Sequence, residues 1–147
     1  MSRHIILQDT REQMPLVFFH PEIRVKAYKL GYGDYMMKFS DGHFSNTAFE
    51  RKSIADIFGT LTSGYERFKQ EIQRARDDNS KLIIIVEGNL TKVFSGIRHS
   101  RVQGISIVKT LFTLWVKYGV IPVFVKNRRE ASVFIVQYYL AEWRNKC

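Results

Sequence analysis

The sequence predicts an α/β fold with a mixed central sheet flanked by helices. Three observations carry that expectation. Short runs of β character crowd the early part of the chain and end near Arg51. After Ser53 helical and strand patterns alternate, the order of a layered domain built on one sheet. Between two of the early runs stands Ser40-Asp41-Gly42-His43, and Asp-Gly is a strong hairpin signal.

The elements follow in order. His4 to Leu7 is a short apolar run that ends in the polar Asp9-Thr10-Arg11-Glu12, a strand entering a loop. Ile23 to Leu30 (IRVKAYKL) alternates, with Ile23, Val25, Ala27 and Tyr28 or Leu30 expected inward. Tyr35–Phe39 and Phe44–Arg51 are the two arms of the hairpin. Ser53 is placed to cap a helix through Ile54, Ile57, Phe58 and Leu61. Gly64 interrupts it, and a second helix runs from about Tyr65 to Arg76 with Tyr65, Phe68 and Ile72 inward. Asp77-Asp78-Asn79-Ser80 breaks that helix, and Lys81–Glu87 (KLIIIVE) reads as a buried strand. Ile105, Val108, Leu111, Phe112 and Trp115 recur at helical spacing between Gly104 and Tyr118. Val120–Lys126 is the last strand, and Asn127 leads into a helix over about Glu130–Arg144.

Composition limits the function classes. The 147 residues suit one domain, and 45% apolar with 14% aromatic residues supports a full core rather than disorder. Lys and Arg number 23 against 14 Asp and Glu, a net +9 that favours a polyanionic partner: nucleic acid or an anionic membrane surface. The single cysteine, Cys147, excludes a disulfide framework and a Cys-based zinc site. Met1 opens MSRHIILQD, too short an apolar run for a signal peptide, and Leu82–Val86 is far below a membrane span. A soluble intracellular protein, of cytoplasm or nucleus, is expected.

Chemistry concentrates at the hairpin. Asp34 starts its first arm; Glu50 and Lys52 end its second. Residues two apart on a strand share a face, so Glu50 and Lys52 point one way and Arg51 the other. The hairpin brings Asp34 towards them. Two carboxylates and one ammonium suit metal-assisted phosphodiester hydrolysis, because Mg²⁺ needs few protein oxygens beyond phosphate and water. The lysine then orients the attacking water or offsets transition-state charge. Asp56, about one helical turn past Lys52, is near enough to orient Lys52 or to complete a metal shell. The plainer alternative is an ordinary Glu50–Lys52 ion pair and an acidic first-turn residue at Asp56; an isolated D…ExK is a common accident.

The full string is more specific. Gly33-Asp34-Tyr35 followed by Phe49-Glu50-Arg51-Lys52-Ser53-Ile54-Ala55-Asp56 resembles the GD…ERKxxxD signature of the XPF-type structure-specific endonucleases, which include XPF, the Mus-type nucleases and archaeal Hef. Asp9-Thr10-Arg11-Glu12 resembles the family's DxRE, Gly64 to Gln70 its Gly…Arg…Gln helix, and Leu82–Glu87 its long apolar strand. The resemblance runs along essentially the whole chain. It implies a restriction-endonuclease-like PD-(D/E)xK core, Mg²⁺ or Mn²⁺ as cofactor, and cutting at branched DNA (flaps, forks, bubbles or nicked junctions) in repair, recombination or replication. It implies Asp34, Glu50 and Asp9 as metal ligands, Lys52 as the catalytic lysine, and Asp56 and Arg51 as further catalytic side chains. Arg11, Arg67 and Gln70 would contact DNA.

Two departures from the family pattern stand out. Residues 1–147 read as a single nuclease domain, with neither a following tandem helix-hairpin-helix module nor a preceding helicase segment. The MSRH start favours a complete protein over an excised piece. The family pairs nuclease-type domains through late helices, and the final helix, with Val133, Phe134, Tyr138 and Trp143, is apolar on more than one face. A homodimer through that helix is expected; closure of a small core is the alternative. Lys92–Arg101 reads as a basic loop in which Arg98 and Arg101 contact phosphates or face solvent. His4, His20, His43 and His99 show no metal spacing. Two competing readings remain: a non-catalytic DNA-binding or scaffold subunit of a nuclease heterodimer, and a resolvase or restriction-type nuclease of the same fold.

Overall fold

The computed structural model describes residues 3–146. Met1 and Cys147, both used in the sequence reading, lie outside the described residues. The strands are β1 (His4–Asp9), β2 (Ile23–Tyr28), β3 (Tyr35–Lys38), β4 (Thr47–Ser53), β5 (Lys81–Glu87) and β6 (Ile121–Val125). They form one mixed six-stranded sheet ordered β2-β1-β3-β4-β5-β6. The β4, β5 and β6 strands are parallel, while β3 runs antiparallel to both β1 and β4. The C-terminal ends of β1, β4, β5 and β6 therefore meet at one edge, together with the start of β3.

Helices cover both faces. The first face carries α1 (Ile54–Thr60), α2 (Tyr65–Asp77), α3 (Leu90–Ser95) and α4 (Gly104–Tyr118); the second carries α5 (Arg128–Arg144). The strand period assigns β5 to two cores. Leu82, Ile84 and Val86 pack with Phe58, Phe68, Ile72 and Leu111, whereas Ile83 and Ile85 pack with Ala131, Ile135 and Tyr139. Caps fall where the sequence places them: the Ser53 hydroxyl accepts from the Asp56 N–H, and Asn127 accepts from the Glu130 N–H.

Four local expectations need correction. β2 is an edge strand that pairs only with β1, and within it only Ile23 is buried; Val25 and Tyr28 are about half exposed at 45% and 50%, while Leu30, just beyond it, is buried. The second hairpin arm becomes regular only at Thr47, since Phe44 makes a lone bridge to Lys38 and the Ser45 N–H bonds Met37 O. The segment read as a basic loop begins as α3, capped by Asn89. On α4, Ile107, Val108, Leu111 and Leu114 are buried, while Ile105, Phe112 and Trp115 face outward. No helix among the described residues is long and apolar enough to cross a membrane.

Candidate active site

The ERK triplet stands at the C-terminal end of β4, and the pleat divides it. Phe49 belongs to the α5 core and is fully buried. Glu50, on the opposite face, is buried as well, at 5% exposure. Lys52 follows on the Glu50 face and lines an open cleft of about 570 Å³ with Asp56, Arg67 and Glu71. Arg51 goes the other way. Its Nε bonds Glu87 Oε1 at 2.5 Å, its Nη1 bonds Met14 O at 2.6 Å, and Glu12 Oε2 lies 3.6 Å from the same Nη1. Arg51 thus ties the segment after β1 to the end of β5 and stands apart from the Glu50–Lys52 face.

Asp34 is positioned by backbone on both sides. Its N–H bonds Phe49 O at 2.7 Å, and its carbonyl accepts from the Asp9 N–H at 2.8 Å. Its Oδ2 accepts from the Arg51 N–H at 2.8 Å. The turn that delivers it needs glycine: Gly33 has φ +74°, and a Cβ there would meet Ala48 Cβ at 2.9 Å. Burial pushes the Asp34 carboxyl up to about 6, against the pull of the Arg51 amide and with a further push from Glu12. Burial, then the charges of Asp34 and Glu71, hold Glu50 well above the ordinary carboxylate range.

Glu50 Oε2 is buried and reached by no hydrogen-bond partner. Its carboxyl interacts instead with the carboxyls of Asp34 and Glu71. Facing acceptors need a proton or a cation between them. That orphan oxygen and the paired carboxyls fit a divalent cation, and Asp34 and Glu50 are the residues that could hold it. Among the described residues no group of three or more His, Cys, Asp or Glu side chains is arranged to hold a metal ion. Two carboxylates, with phosphate oxygens and water completing the shell, match the sparse protein ligation that Mg²⁺ tolerates.

The other sequence-predicted residues scatter more widely. Asp9 is buried, but both its oxygens are engaged: Oδ1 accepts from the Leu30 N–H at 2.9 Å and Oδ2 from Arg11 Nε at 2.8 Å. Although burial opposes it, those bonds hold Asp9 below the ordinary carboxylate range. Its carboxylate is a strut between β1 and the Leu30 turn rather than a partner to Asp34 and Glu50. Arg11 is thereby fixed, its Nη2 also donating to Leu30 O. Gln70 lies in a separate depression with Glu66, Lys69, Gln73 and Tyr118, away from the cleft. Arg98 and Arg101 are exposed between α3 and α4. The sequence reading missed Glu71. It follows Arg67 by four positions, so the two share a helix face, and that spacing is the signal that places it in the cleft.

A larger concavity, about 660 Å³, lies on the α5 side between Phe19, Arg128 and Val133. It is lined by no carboxylate; chemistry, not volume, makes the cleft beside Lys52 the candidate site.

Comparison with known proteins bears on the family and the fold. No curated protein matches the chain. Solved structures do, among them two of XPF from Aeropyrum pernix. The first has a TM-score of 0.67 at 21% identity and covers 97% of this chain and 65% of that one. The second, a complex with DNA, has a TM-score of 0.70 at 21% identity and covers 99% and 68%. The chain therefore spans about two thirds of the length of these relatives. At that identity the likeness shows the fold, the restriction-endonuclease-like core of XPF nuclease domains. The family called ERCC4 domain matches residues 8–138, nearly the full length, and the chain belongs to it.

Proposed function

We propose that this chain is a single nuclease domain that hydrolyses DNA phosphodiester bonds with Mg²⁺ or Mn²⁺, selects branched DNA such as flaps, forks and junctions, and serves repair, recombination or replication. The observation that carries the reading is the pairing of half-buried Asp34 with buried Glu50 and the orphan Oε2 of Glu50, set beside the Lys52 cleft. The matched relative in complex with DNA and the +9 charge support DNA as the partner.

Each residue then has a part. Asp34 and Glu50 hold the cation, which when bound polarises the phosphate and makes its water more acidic. Lys52 places an ammonium beside the attacked phosphate, orienting water and offsetting charge on the equatorial oxygens. Arg67 stands on the cleft wall to pair a neighbouring phosphate. Asp56 lines the same cleft and adds a negative charge that favours an ammonium there. Arg51 acts from behind, fixing Asp34 through its amide and the Glu12 segment through its guanidinium.

Pairing of two copies is part of the proposal, with its surface moved. In α5, Phe134, Tyr138 and Trp143 pack against the core and only Val133 is mostly exposed, at 54%. The face of α4 supports pairing better, because Ile105, Phe112, Trp115 and Val116 all project outward there. A wild type that sediments as a dimer and a Trp115→Glu protein that sediments as a monomer support this surface; a monomeric wild type removes it.

Labelled flap, fork, nicked-junction, duplex and single-stranded DNA, incubated in Mg²⁺ or Mn²⁺, test the main reading. Cutting by wild type and none by Asp34→Ala or Lys52→Ala is expected. Equal absence of cutting in all three, across metals, overturns the enzyme and leaves a scaffold. Cutting of plain duplex at fixed sequences would point to a restriction-type nuclease instead.

A further inference from the structure

We infer that Glu71 is a positioning residue of this site, fixing from α2 both carboxylates that hold the cation. The inference rests on the nuclease reading and adds to it a residue outside the GD…ERKxxxD string. Glu71 Oε2 accepts the Gly33 N–H at 2.8 Å, across 38 positions of sequence. Gly33 is the residue whose positive φ turns the chain into Asp34. Its amide faces away from any strand partner, so Glu71 supplies the acceptor that the turn needs. The same carboxyl is near enough to that of Glu50 to push it up, and it lines the cleft that Lys52 enters from the Glu50 face. One side chain thus spans the two arms of the hairpin at the point where their carboxylates converge, and it is anchored by α2, whose Phe68 and Ile72 are buried in the core on either side of it.

Glu71 also lines the cleft, so a direct role towards the cation must be separated from positioning. The isosteric Glu71→Gln separates them. Glutamine can accept from the Gly33 N–H through its oxygen and donate to Glu50 through its amide nitrogen. It keeps both restraints and loses the charge.

Three readouts decide. In the metal-free protein, amide hydrogen exchange at Gly33 and Asp34 should speed by about tenfold or more in Glu71→Ala and stay within about threefold of wild type in Glu71→Gln. Calorimetric Mn²⁺ affinity should fall about tenfold or more in Glu71→Ala and recover in Glu71→Gln. Cleavage should lose kcat rather than KM in Glu71→Ala, with Glu71→Gln restoring most of it. If Glu71→Gln loses Mn²⁺ affinity as deeply as Glu71→Ala while keeping slow exchange, Glu71 is a cation ligand and the positioning role is overturned. If Glu71→Ala matches wild type in all three, Glu71 is an ordinary helix residue. Should Glu71→Ala fail to fold, the exchange and affinity of Glu71→Gln still decide. A wild type that binds Mn²⁺ and cuts, alongside a silent Glu71→Ala effect, sinks this inference alone; a wild type that does neither sinks both readings.

Discussion

Replacing Asp34 by asparagine should make the metal-free protein more stable at neutral pH while abolishing its metal response. Folding lifts the Asp34 carboxyl from its ordinary 3.8 to about 6. A raised carboxyl favours the folded state when protonated, so the contribution is fully present below about pH 3.8 and is lost as pH rises through 6. At about 1.4 kcal/mol per pKa unit, ionising this group in place costs the folded protein about 3 kcal/mol at pH 7.5. Asparagine keeps an oxygen for the Arg51 N–H, offers its amide nitrogen to Glu50, and has no proton to lose. Urea unfolding in EDTA between pH 4 and 8 measures the difference. Asp34→Asn should exceed wild type by a value approaching about 3 kcal/mol at pH 7.5 and converge on it near pH 4. Added Mn²⁺ should stabilise wild type at pH 7.5, much less at pH 5, and Asp34→Asn hardly at all. A wild type whose stability stays parallel to that of Asp34→Asn from pH 4 to 8 would refute the reasoning.

Lys52→Gln should lower kcat about a hundredfold or more with Mn²⁺ affinity and folding unchanged, as single-turnover cleavage and calorimetry will show. Gly33→Ala should cost about 2 kcal/mol or more, because a positive-φ turn and a Cβ 2.9 Å from Ala48 leave it no room; thermal melting checks this. Arg51→Ala should cost about 3 kcal/mol by stranding Glu87 and Glu12, and limited proteolysis should open residues 10–16 first. Arg51→Lys should recover only part of that, since one ammonium cannot span Glu87 Oε1 and Met14 O in the fork geometry of arginine.

Much of the fold was legible because its signals are local. The β5 run, the Ser53 and Asn127 caps and the Asp41-Gly42 turn each state their structure within a few residues. The pleat alone places Glu50 and Lys52 on one face and Arg51 on the other. What escaped depends on distant neighbours. β2 alternates as a two-sided strand would, yet only its pairing partner decides that it sits at the edge. The outward turn of Phe112 and Trp115 depends on which side of α4 meets the sheet, and their spacing fits a buried stripe equally well. Asp9 reads as one more acid near the site until Leu30 and Arg11 are seen to claim its oxygens. Glu71 carries only its four-residue spacing from Arg67 as a local mark, and its partner, the amide of a glycine in another layer of the fold, leaves none.

The division of Arg51 between two faces has a mechanical consequence. Its guanidinium is bolted to the Glu12–Met14 segment on the α5 side of the sheet, while its amide holds an oxygen of Asp34 at the edge. Arg128 grips the same segment from α5, through Met14 O and Pro15 O. Whatever pulls on that segment from the α5 side therefore loads a single residue that also touches a carboxylate of the site. The sheet works there as a fulcrum, and a hand laid on the back of the protein is felt at the front.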